Sequence, residues 1–167
     1  ALDFGGGEGR NALWLAEQGW DATVLDFSQV GLDRAQQLAG SRLTPAQQAR
    51  FHTLRADAAS DSVSPKTFDL VIVAYLQLAA DERRSAMRTA ASAVREDGYL
   101  FVIAHDSANL LAGYGGPQDP TVLYTAADLA ADVSDSGLHV IRADAVERTV
   151  DVQGVDRTAI DALLIAR

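Results

Sequence analysis

The sequence contains no cysteine, which excludes disulfides, thiolate metal sites and a cysteine nucleophile. It is also poor in cations. Fourteen Lys and Arg stand against 23 Asp and Glu, giving a net charge of −9 and an isoelectric point near 4.6. That balance disfavours non-specific association with phosphate backbones or anionic membranes, so neither nucleic acid nor membrane is an expected partner. The three histidines show no metal-ligand spacing, and no metal site is expected. No apolar run approaches the roughly 18 residues of a membrane span, and no signal peptide is visible; the cytoplasm is the expected compartment. Repeats, low-complexity tracts and interdomain linkers are also missing, and composition says nothing of oligomeric state.

What is present suits one ordinary domain. The 167 residues are 48% hydrophobic and 22% charged, enough to bury a substantial core. Short apolar runs alternate with helix-period segments, the pattern of a sheet wrapped by helices. Ala1–Phe4 reads as the tail of a strand, Asn11–Gln18 as a helix stopped by Gly19, and Ala22–Asp26 as a second strand. Ser28 caps a helix to about Leu38. Phe51–Arg55 and the apolar Phe68–Ala74 are further strands, the latter buried on both faces. Asp81–Val94 is a helix closed by an Asp97-Gly98 turn, and Leu100–Ala104 is another buried strand.

The stretch from His105 to about Tyr124 holds three glycines and two prolines and is too long for a mere connection. Thr125, with Asp128 three residues on, caps a helix to Ser134 that ends at Gly137. Two final strands, Leu138–Val150 and Arg157–Ala166, are joined too tightly to cross over and must be antiparallel.

The chemistry is concentrated in the opening "ALDFGGGEGR". A strand, then glycines, then a helix turns unpaired backbone N–H groups toward an anionic or carboxylate-bearing ligand. Two templates fit besides a glycine turn with no ligand. Gly7-Glu8-Gly9-Arg10-Asn11-Ala12 satisfies the dinucleotide pattern G-x-G-x-x-G/A. Asp3-Phe4-Gly5-Gly6-Gly7-Glu8-Gly9 satisfies D-x-G-x-G-x-G, the motif of class I S-adenosylmethionine-dependent methyltransferases. Asp26, ending the second strand, suits ribose hydroxyls under either template. Three features favour the second: the acid Asp3 ahead of the glycines, Asp57 after the third strand, and the antiparallel pair at the C-terminus.

The whole chain resembles a class I methyltransferase domain, and "GEGRNALWLAEQGW" is similar to the tellurite-resistance-like branch of small bacterial members. The resemblance implies a doubly wound, Rossmann-like α/β fold, with a seven-stranded sheet of order 3-2-1-4-5-7-6 and strand 7 antiparallel. It implies S-adenosylmethionine as cofactor and S-adenosylhomocysteine as product. The backbone around Gly5, Gly7 and Gly9 would hold the methionine end, with Asp3 near its amino group. Asp26 would hold the ribose, Phe27 would lie against the adenine, and Asp57 with the Ala58 amide would meet the adenine's polar edge. Members normally carry a segment ahead of the first strand that covers cofactor and substrate. The sequence starts at Ala1 in mid-strand without one, and reduced activity is expected for residues 1–167 alone.

The expected reaction is in-line methyl transfer to O, N or S of a small molecule. A nicotinamide-dependent oxidoreductase and a cofactor-binding domain without catalysis are the alternatives. Substrate contacts should follow the central strands: Tyr75 and Gln77 after the fourth, His105, Asp106 and Asn109 after the fifth, and Tyr114 in the long loop. His105 is the candidate proton acceptor; its other reading is a loop histidine bonded to backbone. Tyr75 and Gln77 are equally readable as packing residues. Tyr114 and Tyr124 either form a lid or pin the loop to the sheet. His52 and His139 are assigned no catalytic role. Trp14, Met87 and Val94 read as core, while Trp20, Arg83 and Arg84 read as surface.

Overall fold

The computed structural model describes residues 1–167. The strands are β1 (Leu2–Phe4), β2 (Ala22–Asp26), β3 (Phe51–Arg55), β4 (Phe68–Ala74), β5 (Val94–His105), β6 (Val140–Val152) and β7 (Val155–Ala166). The helices are α1 (Arg10–Glu17), α2 (Gln29–Arg42), α3 (Pro45–Gln48), α4 (Ala80–Ala93), α5 (Asn109–Ala112) and α6 (Ala126–Asp132). They form one α/β, Rossmann-like unit around a seven-stranded sheet of order β3-β2-β1-β4-β5-β7-β6. The pairings from β3 through β5 are parallel, and β7 runs antiparallel to both β5 and β6. The expected order and the antiparallel last strand are both observed. No helix is long and apolar enough to cross a membrane.

Alternation along the strands distributes side chains to two cores. Leu2, Phe4, Val71, Val73, Leu100, Val102 and Leu164 join Met87 of α4 and Leu129 of α6 on one face. Val24 joins Leu13 and Leu15 of α1 and Leu32 and Ala35 of α2 on the other, with Leu70 and Ile72 of β4 against them. β4 thus sends alternate residues to both cores, which is why its run is continuously apolar. The expected caps are made. Ser28 Oγ accepts from Gly31 N at 3.2 Å, and Asp128 Oδ2 accepts from Thr125 N at 2.8 Å in a capping box.

Several expectations are corrected. Asp97-Gly98 does not separate a helix from a strand: it is absorbed as an irregularity inside the longer β5, with Asp97 at φ 63°. The segment at Pro45, given no element from sequence, forms the short α3, started by Thr44. The long loop contains α5 and a single 3₁₀ turn at Pro120–Val122. Trp14 is 55% exposed rather than core, because α1 buries Ala12, Leu13, Leu15 and Ala16 and leaves position 14 on the far side. Arg83 is buried, not surface, whereas Met87 and Val94 are core as expected.

Candidate active site

The C-terminal ends of β1, β2, β4 and β5 bring their loops to one edge, at the point where chain order reverses between β1 and β4. The glycine loop is tied down within the fold, so the N–H groups of Gly5, Gly6 and Gly7 are not the unpaired donors expected from sequence. Gly5 N and Gly6 N both donate to Leu25 O, at 2.8 and 3.0 Å, and Gly7 N donates to Asp26 Oδ2 at 2.8 Å. Gly5, Gly7 and Gly9 have φ of 72°, 56° and 73°, a region that favours glycine. Gly6, a spacer in the motif, is required for a different reason. A Cβ there would lie 2.6 Å from the Asp3 carboxyl and 2.8 Å from Val24 Cγ2. Gly6→Ala is therefore expected to destabilise the fold by about 1–3 kcal/mol, read as a lowered urea midpoint; an unchanged midpoint would show that Asp3 can yield.

Asp3 itself is 1% exposed and does not line the cavity described next. Its carboxylate accepts from Asn11 Nδ2 at 3.1 Å and Ala12 N at 3.2 Å. In this way it serves the N-terminus of α1, whose N-cap Gly9 has no side chain to do so. Burial raises its carboxyl above the ordinary value, opposed by those hydrogen bonds.

Beside the loop lies a cavity of about 240 Å³ lined by Gly5, Asp26, Phe27, Asp57, Ala58, Ala59, Leu76, Leu78 and Glu82. It gathers five of the sequence-assigned cofactor residues. Asp26 accepts from Gly7 N and, through Oδ1, from Ser28 N at 2.8 Å. A carboxylate offers about four lone-pair positions, so it retains acceptors for a ligand's hydroxyls. Phe27 stands 70% exposed at the rim, free to cover a flat ring, and Leu76 and Leu78 supply an apolar wall. Asp57 Oδ1 accepts from Ala59 N at 2.9 Å, which fixes the turn that presents Ala58. Space beside Gly7 is open for at least 4 Å. An acid beside exposed apolar surface and a glycine backbone fits an adenosine-bearing cofactor. Glu82, in the first turn of α4, was not anticipated. A larger groove of about 740 Å³, with Lys66, Arg95, Asp97 and His139 in its walls, lies at the opposite strand ends and collects none of the assigned residues.

Four side chains gather where β4 and β5 end. Tyr75, at φ 56°, occupies a left-handed conformation that costs a bulky residue about 1–3 kcal/mol. Its hydroxyl donates to Asp161 Oδ2 at 2.9 Å, and its ring centroid lies 4.9 Å from that of His105. Arg148 Nε also donates to Asp161 Oδ2, at 2.8 Å. His105 Nδ1 faces Asp161 Oδ1 at 3.4 Å. Asp161 and Arg148 were missed from the sequence; the available signal was an acid inside the apolar run "AIDALLIA".

The remaining assigned residues hold the long loop. Gln77 donates to Val122 O at 2.6 Å and accepts from His105 N at 3.0 Å. Asp106 Oδ1 accepts from Ala108 N at 2.8 Å. Asn109 donates to Gly115 O and accepts from Ile160 N, both at 2.8 Å. Tyr124 pins the loop by donating to Leu76 O at 2.8 Å, whereas Tyr114 is exposed.

Burial lowers the His105 imidazole below its ordinary 6.5; Asp161 pulls it up and Arg148 pushes it further down. Between the ordinary and the lowered value, the unfolded chain binds a proton that the folded chain does not. Stability is thus expected to be fully present above pH 6.5 and to be lost as pH falls toward the folded value. In His105→Gln this step should disappear from the pH dependence of the urea midpoint; an identical profile in both proteins would refute the linkage.

A family model described as a methyltransferase domain matches residues 1–98. The tRNA 5-carboxymethoxyuridine methyltransferase of Escherichia coli strain K12 is 34% identical over 111 residues, covering 66% of this chain and 41% of that protein. The O157:H7 protein of the same name matches equally, so the chain spans about two fifths of the curated relatives it matches. Among solved structures, TehB from Haemophilus influenzae superposes with a TM-score of 0.71 at 16% identity, over 99% of this chain and 56% of that one. A TehB-like SAM-dependent methyltransferase from Corynebacterium glutamicum gives 0.64 at 22%, over 96% and 77%. At those identities the structures establish the fold alone.

Proposed function

Starting from the fact that this chain belongs to the class I S-adenosylmethionine-dependent methyltransferases, we propose that it transfers a methyl group to a small molecule bound beside Tyr75 and His105. One observation carries this reading: Gly5, Asp26, Phe27, Asp57 and Ala58, far apart in sequence, line a single cavity beside the edge that ends in His105. Bound S-adenosylmethionine supplies a methyl group already activated on a sulfonium sulfur. The chain's own task is alignment. The Gly5–Gly9 backbone would hold the methionine end, with Asp3 bracing the first turn of α1 just after that loop. Asp26 would hold the ribose, Phe27 would cover the adenine, and Asp57 with the Ala58 amide would meet its polar edge. Holding donor and acceptor in line can contribute several kcal/mol, and the apolar Leu76 and Leu78 help keep water out.

The net charge of −9 favours a small acceptor over a polyanion. A tRNA nucleoside is the second reading, favoured by the name of the Escherichia coli relatives. Calorimetry with S-adenosylhomocysteine and NAD(H) tests the cofactor: heat only with S-adenosylhomocysteine is expected, and heat only with NAD(H) overturns the reading in favour of an oxidoreductase. Incubation with methyl-labelled S-adenosylmethionine, bulk tRNA and a small-molecule extract tests the acceptor. Label in the small-molecule fraction is expected, and label confined to tRNA would replace the first reading with the second. Cofactor heat with no label in either fraction would identify a binding domain without catalysis.

A further inference from the structure

We propose that Asp161 and His105 form a proton-accepting pair, with Asp161 as the positioning residue, and that the acceptor is a hydroxyl compound that must lose a proton as it is methylated. This rests on the methyl-transfer reading above and deepens it. Asp161 is 0% exposed, and burying a carboxylate costs several kcal/mol unless partners surround it. Its partners converge from separate elements: Tyr75 after β4, His105 at the end of β5, and Arg148 on β6. Tyr75 and Arg148 both bond to Oδ2. Oδ1 is left with no hydrogen bond, and so is His105 Nδ1; both are fully buried, and they face each other at 3.4 Å.

A neutral imidazole carries one proton, and its location follows the partner offered to each nitrogen. A proton on Nδ1 would satisfy both buried atoms with a small rotation of the ring. Nε2 then keeps its lone pair. The ring is held for that role, between Tyr75 on one side and Gly116 on the other, where an added Cβ would lie 2.9 Å from the ring. The other nearby ionisable group, Asp106, is turned away to Ala108 N. Burial favours the neutral ring, the form able to accept a proton.

In the reaction, the hydroxyl oxygen forms a bond to the methyl carbon while its own proton passes to Nε2. The bond from methyl to sulfur breaks with its electron pair left on sulfur. The imidazolium, beside Asp161, then returns the proton to solvent. A carboxylate acceptor, already ionised, would need no such pair.

Long-range ¹H–¹⁵N NMR of histidine-labelled protein tests the arrangement, with His52→Gln and His139→Gln identifying the signals. At neutral pH, His105 is expected to carry its proton on Nδ1, with Nε2 bare. Asp161→Asn should lose that tautomer. A wild-type ring with Nε2 protonated and Nδ1 bare, or one doubly protonated, overturns the pair, and neither result needs the variant to fold. S-adenosylhomocysteine calorimetry on the same samples separates the two claims. Retained binding with the wrong tautomer overturns the pair alone; absent binding with the expected tautomer overturns methyl transfer alone. Benzyl alcohol, phenol and benzoate are the acceptor probes. The hydroxyl compounds should be methylated in preference to benzoate, with kcat falling roughly 100-fold in His105→Gln and KM little changed. Preference for benzoate overturns the acceptor class.

Discussion

Asp26→Ala is expected to weaken S-adenosylhomocysteine binding by about 100-fold. The first loss is one of hydrogen bonds. A bond to a charged acceptor contributes about 1.5–3 kcal/mol, and two ribose hydroxyls on one carboxylate give at least about 3 kcal/mol, or about two orders of magnitude in Kd. A second loss adds to it. The same carboxylate receives Gly7 N and Ser28 N, so its removal frees the glycine loop from the start of α2 and leaves a less preorganised site. The two contributions can be separated. Ser28→Ala removes only the cap to Gly31 N, and should lower stability by about 1 kcal/mol with little effect on affinity. Asp26→Asn presents an amide where a backbone N–H must be accepted, and should bind little better than the alanine variant. Calorimetry at constant temperature reads all three. An Asp26→Ala affinity within threefold of wild type would remove this residue from the cofactor site.

The position of Asp26 beside the glycine loop could be read from sequence because the segments around it are local. Strand, glycine loop, helix and second strand follow one another within residues 1–26, and parallel neighbours place both strand ends at one edge. Asp57 and Ala58 follow the next parallel strand in the same way. The cluster around Asp161 is not local. Asp161 reaches His105 only because β7 runs antiparallel in a register that sets the two directly opposite, and Arg148 arrives through the β6–β7 hairpin. A one-residue slip in such a register would turn Asp161 to the other face. That the pair is antiparallel was readable from its short connection; the register was not. Gln77, Asp106 and Asn109 follow β4 and β5, at the strand ends where the sequence places them. Sequence could not show that their polar groups are used inside the loop, since direction depends on contacts made only after folding.

Arg83→Ala is expected to cause the largest loss of stability of any single change considered, about 3–5 kcal/mol. Arg83 is 6% exposed. Its guanidinium forks onto Asp132, Nε to Oδ2 at 2.6 Å and Nη2 to Oδ1 at 3.4 Å, joining α4 to the end of α6. It also lies 5.0 Å from the centre of the Tyr124 ring. Helical phase explains the burial: Arg83 shares a stripe with Ala86, Met87 and Ala90, at the spacing of a buried face. Its neighbour Arg84 lies off that stripe and pairs in solvent with Asp81. Reading the two arginines as one charged surface run hid the difference. Truncating Arg83 strands the buried Asp132 carboxylate, and that unpaired charge accounts for most of the loss. Arg83→Met combined with Asp132→Leu should recover most of it, since replacing both members of a buried pair by apolar groups is often neutral. Arg84→Ala should remain within about 0.5 kcal/mol of wild type. Urea midpoints distinguish these outcomes; an Arg83→Ala protein within about 1 kcal/mol of wild type would mean that water reaches Asp132. Cofactor affinity should fall in the same variant. Tyr124, beneath the guanidinium, holds the carbonyl of Leu76, and Leu76 is a wall of the cavity. The ion pair that joins two helices is thus linked, through the Tyr124 ring, to the backbone at Leu76.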